Sequence, residues 1–274
     1  MAYKRILTIQ DISCVGQCSM TVALPVLSAC GHETCILPTA LLSTHTGGFG
    51  KPFVAHLDEA LPDIWHHWQD CGITFDAILV GYLGSISAVH TVIEMVKTIL
   101  SPGGILIVDP AMGDNGKLYS GFDMDYAREM KRLCCKADII LPNITEAAIL
   151  SGMEYREKPD NYYVNTLLDN LENPCVVLTG VSFDREKMGV ILRERERKRY
   201  YFHKRVDSCF HGTGDLFAAC FTGTLMQGRS YFESVQIAAD FAENCIENTF
   251  KSPEHWYGIK FEPLLPELMR KLNK

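Results

Sequence analysis

The strongest constraint on the fold is an alternation that runs along most of the chain. Short β-branched, almost wholly apolar runs recur at "RILTIQ" (5 to 10), "TCILPT" (34 to 39), "AILVGYLG" (77 to 84), "ILIVDPAMG" (105 to 113), "DIILPN" (138 to 143) and "CVVLTGV" (175 to 181). Stretches of helical periodicity lie between them, at 58 to 71, 86 to 100, 123 to 135, 145 to 151 and 162 to 173, and two longer ones follow at 213 to 227 and 230 to 249. Strands without a polar face are buried on both sides, and strands alternating with helices form a parallel sheet covered on both faces. "MGVILRERERKRYYFHK" (188 to 204) breaks the rhythm and reads as an antiparallel hairpin at the sheet edge. The expected architecture is therefore α/β, with three layers: helices, a mostly parallel central sheet with that edge hairpin, and helices again.

The chain has 274 residues, with no internal repeat, low-complexity tract or linker, so one domain over 1 to 274 is expected. Its net charge of −7 argues against non-specific binding to nucleic acid, which calls for a basic face. The basic cluster "RERERKR" alternates in sign and fits a solvated hairpin tip. No apolar run reaches the roughly 18 to 20 residues of a membrane span. The basic start "MAYKR" leads at once into a short strand rather than a signal-peptide core, so a cytoplasmic setting is expected. The eleven cysteines contain no CxxC pair and their number is odd, which disfavours a zinc site or a disulfide scaffold and favours small buried side chains.

Ligands of such folds bind at the carboxyl edge of the sheet, so polar residues at strand ends and helix starts carry the functional information. Asp11, Asp109, Asp114, Asn143, Glu146, Thr179 and Asp215 all stand there. "GGFGKP" (47 to 52) lacks the P-loop spacing and no G-x-G-x-x-G follows the first strand, which removes two familiar nucleotide-binding motifs. What remains is "GTGD" (212 to 215), a glycine turn entering a helix. The free N–H groups of Gly212, Thr213 and Gly214, with the helix dipole, suit an anion. Asp215 in the same turn would repel phosphate, and makes chemical sense as a base that takes a proton from a hydroxyl while the turn stabilises a phosphoryl group in transfer. Taken alone it reads equally as a helix cap.

"VDPAMGDNGKLY" (108 to 119) supplies Asp109 and Asp114, and "LPNITEAAIL" (141 to 150) supplies Asn143 and Glu146. Nucleotide phosphates need Mg²⁺, which is held through one or two carboxylates and water. Glu146 also reads as the acidic member of a capping box.

"STHTGGFG" (43 to 50), "DPAMGD", "PNITEA" and "GTGD", in this order and at these separations from about Arg5 to Leu225, resemble the ribokinase-like superfamily and most of all its pyridoxal kinases. The resemblance implies a ribokinase-like kinase domain that phosphorylates the 5′-hydroxymethyl group of pyridoxal, pyridoxine and pyridoxamine. It makes Asp215 the catalytic base and the amides of Gly212, Thr213 and Gly214 the anion hole. It assigns Asp109, Asp114, Asn143, Glu146 and Thr179 to ATP, with Asp109, Glu146 and Thr179 at the metal ions, Mg²⁺ and an activating K⁺. It places His45, Thr46 and Tyr82 around the vitamin, although Tyr82 reads equally as a core aromatic. It also implies a homodimer.

One departure stands out. Where the family commonly has a serine after the first strand, at the polar edge of the pyridine ring, this chain has Asp11 with Ser13 two residues on. A carboxylate there favours a protonated ring by charge pairing, or signals another heterocycle. Related hydroxymethylpyrimidine kinases carry an aspartate near this point. That enzyme and a non-catalytic vitamin-binding relative are the rival expectations. Cys209, near the catalytic turn, is expected to pack rather than react.

Overall fold

The structure, a computed structural model, describes residues 3–206 and 210–273, so Cys209 lies outside the described residues. Its elements in chain order are β1 (Arg5–Ser13), α1 (Met20–Ala29), β2 (Glu33–Leu42), β3 (Val54–His56), α2 (Ala60–Asp70), β4 (Phe75–Val80), α3 (Ile86–Ile99) and β5 (Leu100–Val108). They continue with β6 (Gly113–Asp114), β7 (Lys117–Leu118), α4 (Met124–Cys134), β8 (Ile139–Ile140), α5 (Ile144–Ser151), α6 (Asn161–Asp169) and β9 (Cys175–Val181). The last are β10 (Lys187–Glu194), β11 (Arg197–Lys204), α7 (Thr213–Met226), α8 (Tyr231–Phe250) and α9 (Leu265–Leu272).

Nine strands form one sheet in the order β11-β10-β9-β8-β5-β4-β1-β2-β3. The six strands from β9 to β2 run parallel, and β3, β10 and β11 join antiparallel at the two edges. β10 and β11 are the expected hairpin, with the basic cluster at its tip, although Arg193 is buried rather than solvated and donates to the carbonyls of Leu171, Asn173 and Arg195. Parallel direction puts the carboxyl ends of β1, β4, β5, β8 and β9 on one edge. The chain turns to β2 on one side of β1 and to β4 on the other, which opens a crevice at the end of β1.

Each sheet face carries its own apolar layer. Leu7, Ile9, Ile78 and Val80 pack with residues of α3, α4, α5 and α6, whereas Ile6, Leu79, Ile107 and Val177 pack with α1, α7, α8 and α9. Successive residues of β1 and β4 thus serve opposite layers, as the two-residue period of a strand requires.

Three features were not legible in the sequence. α1, "MTVALPVLSA", is apolar on nearly every face and contains Pro25, so it shows no helical period. β3 has only three residues at the sheet edge. β6 and β7 form a miniature hairpin whose two-residue turn, Asn115 and Gly116, has positive φ at both positions, the type I′ geometry that Asn-Gly favours. The strand candidates 77 to 84 and 105 to 113 end earlier, at Val80 and Val108, where the chain leaves the sheet to form the site.

Phe221 is fully buried in α7 beneath the sheet, remote from the carboxyl edge. Phe221→Ala is expected to lower the unfolding free energy by about 3 to 5 kcal/mol in chemical denaturation while leaving kcat within a small factor.

Candidate active site

The turn before α7 is built against the loop that follows β1. Gly212, the N-cap, has φ 84° and ψ −1°, a left-handed conformation suited to glycine. A side chain there would be blocked in addition, because a Cβ on Gly212 would collide with the carbonyl of Gln17. Thr213 turns back, its hydroxyl donating to the Phe210 carbonyl at 2.8 Å and its N–H to the same oxygen at 3.3 Å. The amides of Gly212 and Gly214 donate to no protein acceptor among the described residues, and the space beside Gly214 is open. Among the described residues, two of the three amides expected to hold an anion have no protein acceptor and the third is engaged.

Asp215 follows in the first helical turn and is half-buried. Burial pushes its carboxyl up to about 6, partly offset by the backbone N–H of Ser19, and the like charge of Asp11 pushes in the same direction as burial. A carboxylate tuned to that range is ionised at neutral pH yet basic enough to accept a proton from an alcohol in a transition state. Ser19 is the N-cap of α1, with φ 49° and ψ −127°, a strained choice for a residue with a side chain. It was not singled out in the sequence, where nothing marks a serine as the point at which α1 meets the base.

Asp11 lies near the end of β1 and is only 4% exposed. The Ser13 hydroxyl donates to its Oδ2 at 3.2 Å, the Ser19 side chain is turned to it, and burial raises its pKa. The charge of Asp11 also reaches Tyr82, whose hydroxyl is pushed up to about 12, chiefly by burial. Tyr82 is half-buried beyond β4, with its ring stacked on Phe122 at a centroid distance of 5.2 Å. One face of Tyr82 is therefore core, as one reading of the sequence had it, while its charge environment belongs to the site.

His45 is buried, and both ring nitrogens are occupied within the chain. Nδ1 accepts from the Gly47 N–H at 2.9 Å and Nε2 faces the Tyr257 carbonyl. His45 therefore clasps the 43 to 50 loop to the segment around Tyr257. Its ring lies 4.7 Å from that of His211 and 5.1 Å from Phe49, which continues onto Trp256. Thr46 is exposed. His211, Phe49 and Trp256 escaped the sequence reading because they meet only in space.

On the other side of the turn, Asp109 follows β5 and Asn143 follows β8, and a parallel bridge pairs Asn143 with Thr179 of β9. Asn143 Oδ1 accepts from the Glu146 N–H at 3.0 Å and Glu146 Oε2 accepts from the Asn143 N–H at 2.9 Å, the reciprocal capping box. Glu146 Oε1 accepts from the N–H groups of Met112 at 3.1 Å and Gly113 at 3.4 Å. The cap thus also fixes the loop carrying Asp109. Asp114 is exposed and binds its own neighbour Asn115, so its visible role is to close the β6–β7 turn. The Thr179 hydroxyl lies 3.4 Å from the Pro142 carbonyl.

Glu146 is 2% exposed, and burial raises its pKa and that of Asp109. The charges of Glu146 and Asp215 raise Asp109 further. Neither Asp109 nor Glu146 has an ion-pair partner among the described residues. Two adjacent acids without a counter-charge fit a hard divalent cation that takes its other oxygen ligands from water and phosphate. No group of three or more His, Cys, Asp and Glu side chains forms a ready metal cage among the described residues.

Comparison with known proteins agrees with this geometry. The phosphomethylpyrimidine kinase family profile matches residues 26–259. A pyridoxine/pyridoxal/pyridoxamine kinase of Bordetella avium is 30% identical over 251 residues, covering 86% of this chain and 82% of the relative. The pyridoxal kinase of Lactobacillus plantarum superposes with TM-score 0.91 at 33% identity, over 98% of each chain. A Bacteroides thetaiotaomicron structure that carries a phosphomethylpyrimidine kinase designation, in a crystal form with pyridoxal, gives TM-score 0.89 at 34% identity, over 100% of this chain and 96% of that one. The chain belongs to the phosphomethylpyrimidine kinase family, on its pyridoxal kinase side within the ribokinase-like superfamily.

Proposed function

We propose that this protein transfers the γ-phosphoryl group of ATP to the 5′-hydroxyl of a B6 vitamer, giving pyridoxal 5′-phosphate or its precursors. The observation that carries the reading is the joining of a half-buried carboxylate, Asp215, to the free amides of Gly212 and Gly214 in a single turn. Asp215 takes the proton of the hydroxymethyl group as its oxygen bonds to the γ-phosphorus and the bond to ADP breaks. The two amides and the α7 dipole face the charge that builds on the phosphoryl oxygens. Asp109, Asn143, Glu146 and Thr179 border the nucleotide side, and Asp11, Ser13, His45, Thr46 and Tyr82 the vitamin side.

Asp109 and Glu146 would hold Mg²⁺, with Thr179 and Asp109 beside an activating K⁺. Bound there, the cations would neutralise phosphate charge. A homodimer and a cytoplasmic setting belong to the same reading. Among the described residues no helix is long and apolar enough to cross a membrane.

The vitamer is favoured over hydroxymethylpyrimidine because relatives on both sides of the family name point to it. The Bordetella avium relative is named for the three vitamers, and the Bacteroides thetaiotaomicron protein was crystallised with pyridoxal.

With Mg²⁺-ATP, release of ADP is expected on addition of pyridoxal, and a lower kcat/KM with hydroxymethylpyrimidine measured in parallel. The reverse ranking would transfer the assignment to the pyrimidine, and no release with either would leave a binding protein. Asp215→Asn is expected to reduce kcat by at least ~10² with little change in ATP affinity. Gly212→Ala, strained in φ and blocked by Gln17, is expected to weaken both turnover and thermal stability.

A further inference from the structure

Asp11 and Asp215 are two acids in one crevice, near enough for the charge of Asp11 to raise the pKa of Asp215. Neither forms an ion pair with a lysine or arginine among the described residues. The groups that face Asp11 are Ser13 of β1, Cys18 and Ser19 of the loop after it, His45 of the 43 to 50 loop, Tyr82 beyond β4 and Asp215 of α7. The imidazole of His45 is engaged within the chain, Nδ1 accepting from the Gly47 N–H and Nε2 facing the Tyr257 carbonyl. The Cys18 thiol is pushed far up by burial and by the two carboxylates, so it is uncharged. Hydroxyl groups, a backbone N–H, the dipole of α1 and the nearby His45 ring are what balance a carboxylate 4% exposed. A buried charge without a lysine or arginine partner among the described residues favours a cationic ligand.

We propose that Asp11 is a specificity-determining residue that binds the substrate as a ring-protonated pyridinium, through a charge-assisted hydrogen bond from the ring N–H to its carboxylate. This rests on the kinase reading above. In a B6 vitamer only one ring carbon separates the nitrogen from the carbon bearing the hydroxymethyl group. A carboxylate neighbouring the base Asp215 is therefore within reach of the ring nitrogen.

A neutral ring nitrogen is an acceptor and would face Asp11 lone pair to lone pair, so one proton must lie between them. The 3-hydroxyl makes the vitamer ring the more basic partner, because its own proton loss compensates the charge on the nitrogen. An aminopyrimidine is a weaker base and gains less from Asp11, which favours the pyridine. Serine at this position would accept or donate without regard to charge. Aspartate makes the protonation state of the ring a condition of binding.

The test uses the full-length enzyme and pyridoxine, whose ultraviolet spectrum distinguishes a protonated from an unprotonated ring, at a pH above that at which free pyridoxine loses its ring proton. The wild type is expected to hold pyridoxine with a protonated ring, and KM for pyridoxine to rise as pH passes that point. In Asp11→Asn and Asp11→Ser the bound ring is expected to be unprotonated, KM for pyridoxine roughly 10- to 100-fold higher and its pH dependence flattened, with KM for ATP unchanged. Wild-type enzyme that binds pyridoxine with an unprotonated ring would overturn the inference and leave the kinase reading intact, as would variants that match the wild type in spectrum and KM. Failure of the wild type to bind any B6 vitamer would overturn both.

Discussion

The contact between the Gly212 turn and the Gln17 carbonyl is the constraint on which the site depends. It is open only to glycine, both because φ is 84° and because a Cβ would strike the carbonyl. It seats the start of α7 against the N-cap of α1, so that two helix N-termini converge where β1 ends. The positive ends of both helices then lie beside Asp11 and Asp215, and the backbone N–H of Ser19 faces the base. A parallel sheet supplies the platform, because its strands all deliver their polar ends to one edge. α7 enters that platform between the ends of β1, β2 and β4 and those of β5, β8 and β9, the proposed vitamin and nucleotide sides.

Electrostatically the crevice is incomplete by itself. Asp11, Asp109, Glu146 and Asp215 are gathered there, and no lysine or arginine pairs with any of them among the described residues. The arrangement costs stability in the empty protein, since burial opposes the charged form of each acid. On the proposed reading the complement is positive charge on what arrives: a cation with the nucleotide on one side, and a protonated ring on the other. Each acid is nonetheless held by hydrogen bonds, and Glu146 shows how economically. It caps α5, fixes the loop after β5 and stands next to Asp109, which joins the two readings of that residue into one.

The sheet was legible because strands buried on both faces have no polar alternative, and the motif residues because they stand where those strands stop. Asp215 and Glu146 could be named from their neighbours along the chain, since a turn and a cap are local structures. Asp114 has two local roles at once, closing the Asn-Gly turn and adding its charge to the surroundings of Glu146. The clasp by His45 was hidden, as it needs Tyr257, distant in sequence. α1 was hidden for another reason. A helix apolar nearly all round shows no period, and Ser19 at its start looks like any serine.

The central claim is that burial beside Asp11 tunes Asp215 into a base that works near neutrality, and the pH dependence of kcat/KM for pyridoxal tests it most directly. Asp215 acts as the carboxylate, so activity should be present above its pKa and fall as the pH drops through about 6. Asp11→Asn removes a like charge and should displace that acid limb to lower pH. A profile that stays level well below about pH 6, or an acid limb unmoved by Asp11→Asn, would contradict the account.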